Sequence, residues 1–230
     1  MDARRGDIPN NEARCRVTRE NDQVAFWRGE FGDDYADRND ASADALASRT
    51  AMWRRMLDPL VEPPRSILEV GANIGLNMRA LAAITRADLH AVEPGAKARE
   101  ILSSCGALPA EHVVDGTAAA LPFDDASIDM VFTSGVLIHI APDDLLPACR
   151  EMHRVSGRYI ACAEYFNPVP VEIEYRGHTG FLWKRDFGGF WMDNFPDLEL
   201  VDYGFFWKRA TGLDDLTWWL FRKAGTDSDA

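Results

Sequence analysis

Short apolar runs alternate with helical patterns between residues 66 and 163, and this alternation restricts the fold more than any other feature. The runs that predict strands lie at 66–70, 89–92, 112–114, 128–132 and 159–163. Apolar residues at three-to-four spacing predict helices over 76–84, 96–103 and 144–155. Strands separated by helices form a parallel sheet that helices cover on both faces. We therefore predict a doubly wound α/β fold, to which 198–203 and 216–221 could add two further strands.

The chain before this region has a different character. Residues 1–22 are polar and lack an apolar period, which predicts a flexible N-terminal arm. A helical period covers 42–60 and ends at Pro63 and Pro64, because proline disrupts a continuing helix. We therefore predict an N-terminal helical cap over 23–62 and one main domain over 63–223.

The charge of the chain excludes several functions. Acidic residues outnumber basic ones 37 to 25, which gives a net charge of −12. Binding to nucleic acid or to anionic lipid requires a basic surface. No apolar stretch approaches the roughly 18–20 residues of a membrane helix, and the N-terminus has no signal-peptide core. We expect a cytoplasmic protein that acts on a small molecule and binds neither nucleic acid nor membrane.

The four cysteines, Cys15, Cys105, Cys149 and Cys162, are far apart in the sequence. No pair has the C-x-x-C spacing typical of zinc or redox sites. We therefore expect reduced thiols and no metal site.

Residues 69–75, Glu-Val-Gly-Ala-Asn-Ile-Gly, join the first predicted strand to a helix. Gly71 allows a ligand to approach the backbone, and Asn73 is among the few residue types that tolerate a positive φ. Open α/β folds bind ligands at this end of the sheet. The turn therefore favours a nucleoside ligand, the alternative being a tight turn that binds nothing.

A dinucleotide site is the first alternative for this turn. The G-x-G-x-x-G pattern would require glycines at positions 73 and 76, where the chain has Asn73 and Leu76. Glu93 follows the next strand, 22 residues after Gly71, where a carboxylate can accept both ribose hydroxyls. The glutamate supports a nucleoside without choosing its kind. A nicotinamide-dependent oxidoreductase is disfavoured by the missing glycines and stays an alternative.

Four motifs in order resemble those of the class I S-adenosylmethionine-dependent methyltransferases. They are the turn at 69–75, Ala-Val-Glu-Pro at 91–94, the segment 116–123 and the strand 128–132. The resemblance implies a Rossmann-like, seven-stranded sheet whose last strand is antiparallel, with S-adenosylmethionine as the cofactor.

The same resemblance implies which residues bind the cofactor. The turn with Gly71, Ala72, Asn73 and Gly75 would line the methionine part, Glu93 would hold the ribose, and Thr117 and Ala118 would lie beside the adenine. Further residues predicted at the cofactor are Asn77, Pro94, Ser134 and Gly135. The family commonly has aspartate where Thr117 stands, so a hydroxyl would make a weaker, neutral contact there.

The stretch 26–39 is aromatic and charged, and we expect it to fold over the cofactor. Arg38 could pair with the methionine carboxylate, and Tyr35 could stack or hydrogen-bond beside it. The alternative is a capping helix with a solvated arginine.

A closer resemblance, carried by 26–39, 135–140, 164–168, 175–178 and 203–209, is to methylases associated with pseudaminic-acid biosynthesis clusters. It implies an acceptor from a sugar or specialised-metabolite pathway. An acceptor loop is predicted over about 164–190, within a region that holds 17 of the 24 aromatic residues (Tyr159 to Phe221).

Candidate catalytic residues are His139, Tyr165 and His178. His139 follows the fourth strand, where it could be a general base or a packed histidine. Candidate acceptor ligands in the loop are Glu164, Glu172, Tyr175, Arg176, Phe181 and Lys184. Taken singly, each of these could instead form a surface salt bridge or a strand edge.

We therefore predict methyl transfer from S-adenosylmethionine to a hydroxyl, amine or guanidine group of a small sugar-like or specialised-metabolite acceptor. Alignment of the two reactants can supply much of the rate acceleration, so a strong base is optional. The alternative from another class is a catalytically silent scaffold that binds S-adenosylmethionine. The sequence predicts no oligomeric state.

Overall fold

The computed structural model describes residues 22–225, and a seven-stranded sheet forms its centre. The strands are β1 (Ser66–Val70), β2 (Asp88–Val92), β3 (Val113–Val114), β4 (Ile128–Ser134), β5 (Ser156–Glu164), β6 (Val171–Glu172), β7 (Trp183–Lys184), β8 (Leu198–Phe206) and β9 (Leu216–Lys223). Seven of them join in the order β3-β2-β1-β4-β5-β9-β8, while β6 and β7 form a separate hairpin.

The direction of the strands confirms the predicted fold. Strands β1 to β5 are parallel, and β9 runs antiparallel to both of its neighbours, β5 and β8. The five strands predicted between residues 66 and 163 are present, and the two later segments form β8 and β9. Strands β2 and β3 lie on one side of β1, and β4 lies on its other side, so the strand order reverses between β1 and β4. A crevice opens at such a reversal, at the carboxyl ends of the strands.

Helices cover both faces of the sheet. They are α1 (Asp22–Arg28), α2 (Glu30–Arg38), α3 (Ala43–Leu57), α4 (Leu76–Ala82), α5 (Ala96–Ser104), α6 (Pro142–Val155), α7 (Phe187–Asn194) and α8 (Lys208–Thr211). Buried side chains of α3, α4 and α5 pack on one face, and those of α6 and α7 pack on the other. These two apolar layers fix the sheet and hence the crevice at its edge.

The N-terminal region of the described chain is helical, as predicted. Ser42 begins α3 by accepting a hydrogen bond from the backbone N–H of Ala45 at 3.4 Å, which satisfies one of the free donors of the first turn. Residues 1–21 of the predicted arm, including Cys15, lie outside the described residues. No helix among residues 22–225 is long and apolar enough to cross a membrane.

The β6–β7 hairpin lies within the predicted acceptor loop, although the sequence did not predict its strands. At its tip, Arg176 and Gly177 have φ angles of 51° and 83°, and Tyr175 and His178 pair across the turn. Two consecutive positive φ angles are typical of the tight turns that close hairpins. The hairpin extends over the carboxyl edge of the sheet toward α1.

Candidate active site

A cleft opens where the strand order reverses, at the carboxyl ends of β1, β2 and β4. Its walls come from α1 to α3, from the turn after β1, and from the segments that follow β2, β3 and β4. Predicted cofactor residues that line it are Tyr35, Gly71, Ala72, Asn73, Asn77, Glu93, Pro94, Thr117, Ala118, Ser134 and Gly135. The fold thus brings residues from distant parts of the sequence to one cleft.

The glycine turn after β1 requires its glycines for steric reasons. Gly71 and Gly75 have φ angles of 77° and 79°. A Cβ atom on Gly71 would lie 2.7 Å from Val136 Cγ2, and one on Gly75 would collide with Leu102. Gly75 precedes α4 and does not line the cleft. Its part is therefore to let the chain turn, while Gly71 forms the cleft floor.

Glu93 holds the turn against the end of β2. Its Oε2 accepts a hydrogen bond from the backbone N–H of Asn73, and its Oε1 accepts one from that of Gly95, both at 2.7 Å. Burial raises the pKa of Glu93, whereas these two backbone donors lower it. Each carboxylate oxygen can accept a further bond. Glu93 is therefore placed to receive ligand hydroxyls.

Glu69, at the end of β1, is a cleft residue that the sequence reasoning did not assign. Burial raises its pKa to about 8, against the opposing effects of Asn77 and of the charge on Arg49. Its Oε1 accepts a hydrogen bond from Asn77 Nδ2 at 2.6 Å. Its Oε2 is buried and has no hydrogen-bond partner among the described residues. A ligand N–H group at this wall would supply the missing partner.

The basic residue in this part of the cleft is Arg49 of α3, which the sequence analysis did not single out. Burial lowers the pKa of Arg49, while Glu69, Tyr35 and Asp214 raise it. Arg38, predicted to reach the cofactor, is exposed and does not line the cleft. Its guanidinium carbon lies 5.4 Å from the ring centroid of Phe31 and 5.6 Å from that of Tyr35. The geometry therefore favours Arg49 over Arg38 as the partner of an anionic group.

His139 lies at the wall of the cleft, at the end of a 3₁₀ turn (Leu137–His139) that follows β4. Its Nδ1 donates a hydrogen bond to the carbonyl oxygen of Phe181 at 2.6 Å, which leaves Nε2 as an acceptor. Burial lowers the pKa of His139 to about 4, so the ring is neutral at pH 7. Trp27 and Tyr175 pack against it, with centroid distances of 4.8 and 4.9 Å.

Glu164 supports the turn that carries His139. It is fully buried, and its carboxylate accepts hydrogen bonds from the backbone N–H groups of Val136, Leu137 and Ile138 at 3.2, 3.2 and 3.4 Å. Burial raises its pKa to about 7, and these donors lower it. Glu164 does not line the cleft, so the geometry gives it a structural position in place of the predicted contact with the acceptor.

The other predicted acceptor residues divide into two groups. Tyr175 and Phe181 contact His139, the first through its ring and the second through its carbonyl oxygen, although neither lines the cleft. The remaining five residues also lie outside the cleft. The hydroxyl of Tyr165 donates a hydrogen bond to Asp214, and the Nζ of Lys184 lies over the Tyr165 ring. Glu172 accepts a hydrogen bond from the backbone N–H of Gly180, and Arg176 and His178 are exposed. The structure therefore does not bring Tyr165 or His178 to the cleft beside His139.

Aromatic contacts join the helical cap to the hairpin. The ring of Phe26 in α1 stacks on Phe181 at 4.1 Å and on Phe31 at 4.0 Å. Its neighbour Trp27, another residue that the sequence reasoning did not assign, lines the cleft. Gln23 also donates to the carbonyl of Gly180 at 3.3 Å. Cap and hairpin thus form one continuous wall over the cleft.

Sheet order, glycine turn and strand-end glutamate define an S-adenosylmethionine-binding fold of the class I methyltransferase type. Residues 68–159 match a family model described as a methyltransferase domain. The chain therefore contains a methyltransferase domain, and its fold is that of S-adenosylmethionine-dependent methyltransferases of known structure. No curated protein sequence matches the chain.

Several solved structures are similar to the chain in fold. The 1,6-didemethyltoxoflavin-N1-methyltransferase of Burkholderia thailandensis, with its acceptor and S-adenosylhomocysteine bound, has a TM-score of 0.65 at 16% identity; the match covers 87% of this chain and 88% of that one. The magnesium protoporphyrin IX methyltransferase of Synechocystis, with S-adenosylmethionine bound, has a TM-score of 0.63 at 12% identity, covering 89% and 98%. A methyltransferase of Leishmania major has a TM-score of 0.66 at 15% identity, covering 87% and 86%.

The cleft residues fit S-adenosylmethionine. The unpartnered Oε2 of Glu69 suits the ammonium group of the cofactor, and Arg49 suits its carboxylate. The oxygens of Glu93 retain accepting capacity for the ribose hydroxyls. When bound, the cofactor supplies a methyl group on a positively charged sulfur.

Proposed function

We propose that the protein methylates a nitrogen atom of a small, neutral, ring-shaped acceptor from a sugar-like or specialised-metabolite pathway. The observation that carries this proposal is His139, a neutral imidazole at the cleft wall whose Nδ1 is committed to Phe181 and whose Nε2 can accept a hydrogen bond. This group can orient an N–H of the acceptor without changing its own charge.

The basicity of His139 favours nitrogen over oxygen as the methylated atom. A neutral amine or ring nitrogen attacks with its own lone pair and loses its proton only after the new bond has formed. An aliphatic hydroxyl needs a base during the attack. A base with a pKa of about 4 is too weak for that task at pH 7, since catalytic bases work best near the operating pH. We therefore assign to Nε2 the role of orienting the acceptor, and not that of a base.

The surroundings of His139 support a neutral ring. Trp27, which lines the cleft, packs edge-to-face with the imidazole, and Tyr175 packs against the same ring in a tilted arrangement. Aromatic faces bind apolar ring surfaces and exclude water. Asp144 also lines the cleft, and its negative charge would repel an anionic acceptor. These features together suit a flat heteroaromatic ring or the apolar face of an amino sugar.

We assign the cofactor to the part of the cleft away from His139, from the charges and hydrogen-bonding groups of the residues that line it. Glu93 would accept from the ribose hydroxyls, and the backbone at Gly71 and Asn73 would line the methionine part. Arg49 and Glu69 would pair with its carboxylate and ammonium groups. The remaining assignments follow the sequence analysis, with Asn77, Thr117, Ala118, Ser134 and Gly135 around the adenosine and methionine parts.

An acceptor panel in matched pairs tests the proposal. Each amine or ring-nitrogen compound is paired with its hydroxyl or ring-oxygen analogue and incubated with methyl-labelled S-adenosylmethionine. Labelled product and S-adenosylhomocysteine are then measured by mass spectrometry. We expect product from the nitrogen member of at least one pair and none from its oxygen partner.

Two other outcomes would overturn the proposal in different ways. Product from the oxygen members alone would show that the protein methylates oxygen and that the assignment to nitrogen is wrong. Binding of S-adenosylmethionine by calorimetry, without S-adenosylhomocysteine from any member, would favour the silent scaffold.

A further inference from the structure

A second group of chemically active side chains lies away from the cleft, at the start of β2. Asp88 and His90 are two residues apart on this strand and so lie on the same face of the sheet. His112 precedes β3, and the register that pairs Ala91 with Val113 brings His112 beside His90. Glu93 follows the other end of β2, about 16 Å from Asp88 at the usual rise per residue. The cluster is therefore separate from the cofactor site.

The three side chains lie in contact with one another. Asp88 Oδ2 lies 3.0 Å from His90 Nε2, and Asp88 Oδ1 lies 3.3 Å from His112 Nδ1. The two imidazole rings stack at 4.2 Å with an interplanar angle of 19°. One potential ligand atom from each residue lies within 4.8 Å of the other two. In the part of the chain that the structure describes, this is the one such group of three or more histidine, cysteine or acidic side chains.

We propose that Asp88, His90 and His112 bind a divalent transition-metal ion such as Zn²⁺. Ligand atoms about 2.0–2.1 Å from a tetrahedral ion are about 3.4 Å from one another. The contacts of Asp88, one from each carboxylate oxygen, are close to this separation, and the ligand atoms of the three residues lie within 4.8 Å of one another, so the side chains would draw closer together around an ion. Asp88 can follow, because 57% of its side chain is exposed.

The donor set indicates the kind of ion. Two imidazole nitrogens and one carboxylate oxygen suit zinc, nickel, cobalt or copper better than magnesium or calcium, which prefer oxygen. The histidine side chains are 16% and 25% exposed, so an ion could enter from solvent. His112 Nδ1 donates a hydrogen bond to the carbonyl oxygen of Leu89 at 3.1 Å, so an ion bound at Nδ1 would displace that proton and this hydrogen bond.

The position of the site indicates what the ion would do. Strand β3 is the outermost strand on its side, and it pairs with β2 through only two residues, Val113 and Val114. An ion between His90 and His112 would fasten the segment before β3 to β2. The same edge continues to Thr117 in the cleft wall. The ion would therefore stabilise the sheet edge and take no part in methyl transfer.

Titration of the full-length chain with Zn²⁺ tests the proposal. The protein is treated with a chelator, dialysed and titrated by calorimetry, and its melting temperature is followed with and without the ion. We expect one Zn²⁺ per chain with micromolar or tighter affinity and a higher melting temperature. Co²⁺ should give visible absorption bands that depend on the same residues.

Variants separate this site from adventitious binding. Asp88→Asn and the double variant His90→Gln with His112→Gln should each weaken Zn²⁺ binding by at least tenfold and remove the Co²⁺ bands. His153→Gln is the matched control, because His153 also pairs with an aspartate (Asp197, 2.8 Å) but has no second histidine beside it. It should bind Zn²⁺ like the unmodified chain.

Two results would overturn the proposal. One is the absence of saturable binding at one Zn²⁺ per chain. The other is unchanged binding in Asp88→Asn and in the double variant, with S-adenosylhomocysteine binding confirming that both are folded. The second result would place the ligands elsewhere in the chain.

Discussion

The Nδ1 atom of His139 lies 2.6 Å from the carbonyl oxygen of Phe181. Because a carbonyl oxygen only accepts, this bond places the ring proton on Nδ1 and keeps Nε2 as the acceptor nitrogen. The bond also joins the turn after β4 to the part of the β6–β7 hairpin that leads into β7. The position of the hairpin therefore determines which nitrogen of His139 is available to an acceptor.

Substitutions of His139 can separate its two nitrogens. The amide of asparagine can replace Nδ1–H and keep the bond to Phe181, but it puts no atom at the Nε2 position. We expect His139→Asn to retain cofactor affinity and to lose roughly 10- to 100-fold in kcat/KM, the effect of a lost hydrogen bond in a buried site. Steady-state kinetics with an acceptor identified in the matched-pair panel measure the change in kcat/KM. An unchanged kcat/KM would show that His139 takes no part in the reaction. His178→Asn should not change kcat/KM, because His178 lies outside the cleft.

Glu93 should dominate binding of the ribose. We expect Glu93→Ala to weaken S-adenosylhomocysteine binding by about 10- to 150-fold, which corresponds to about 1.5–3 kcal/mol for hydrogen bonds to a charged group. Calorimetry measures the dissociation constant. The control is Glu199→Ala, since Glu199 is an exposed glutamate paired with Arg222 on the far edge of the sheet. Equal dissociation constants for the two variants would contradict the ribose assignment.

Arg49 and Arg38 can be compared directly. Arg49→Met keeps an unbranched stem similar to the first part of the side chain and removes the charged guanidinium, and we expect S-adenosylhomocysteine to bind about tenfold or more weakly, because the ligand carboxylate loses its partner. Arg38→Met should leave the affinity unchanged, since Arg38 is exposed outside the cleft. If the two variants behave in the opposite way, the cap must close differently when the cofactor binds, and the original prediction for Arg38 would stand.

Binding of the cofactor should release protons through Glu69. The pKa of this buried carboxyl is about 8, so it is largely protonated at pH 7. An ammonium group at Oε2 favours the ionised form and lowers that pKa, and the proton leaves for the buffer. Calorimetry of S-adenosylhomocysteine binding in two buffers with different ionisation enthalpies should detect this release. Glu69→Gln should abolish it, and an undiminished release in that variant would assign the proton to another group.

Glu164 should make the free energy of unfolding depend on pH. Its pKa is about 7 in the folded protein against an ordinary value of 4.5, so the folded state binds more protons between these values. The folded state is therefore most favoured by this group below pH 4.5, and that contribution is lost as the pH rises to 7. Glu164→Gln, which stays neutral, should lose less stability between pH 5 and pH 8, by up to about 3 kcal/mol. Urea unfolding at both pH values measures the difference, and equal losses in the two proteins would contradict the assignment.

The cofactor half of the molecule could be predicted from the sequence because its signals are local. Strand β1 is a short, mostly apolar run that ends in a glycine turn, and Glu93 follows the next strand at the separation that such folds require. Both signals depend on residues close together in the chain. The order of strands then brings them to one edge of the sheet.

The acceptor half could not be predicted in the same way, because packing between distant segments decides it. Arg38 and Arg49 look alike in sequence, and only the rotation of their helices places Arg49 at the cleft. Glu164 was predicted to bind the acceptor, but its carboxylate accepts hydrogen bonds from three backbone N–H groups instead. His90 and His112 become neighbours only through the pairing of β2 with β3.

The stacking of Phe26 on Phe181 has a consequence for the exchange of specificity between related enzymes. The two rings come from segments that are far apart in the sequence, and their contact joins the helical cap to the β6–β7 hairpin that is proposed to bind the acceptor. A hairpin transplanted from a relative would meet a helix α1 shaped for another partner. Recombination that alters the acceptor must therefore exchange both segments at once, whereas the glycine turn and Glu93 can stay as they are.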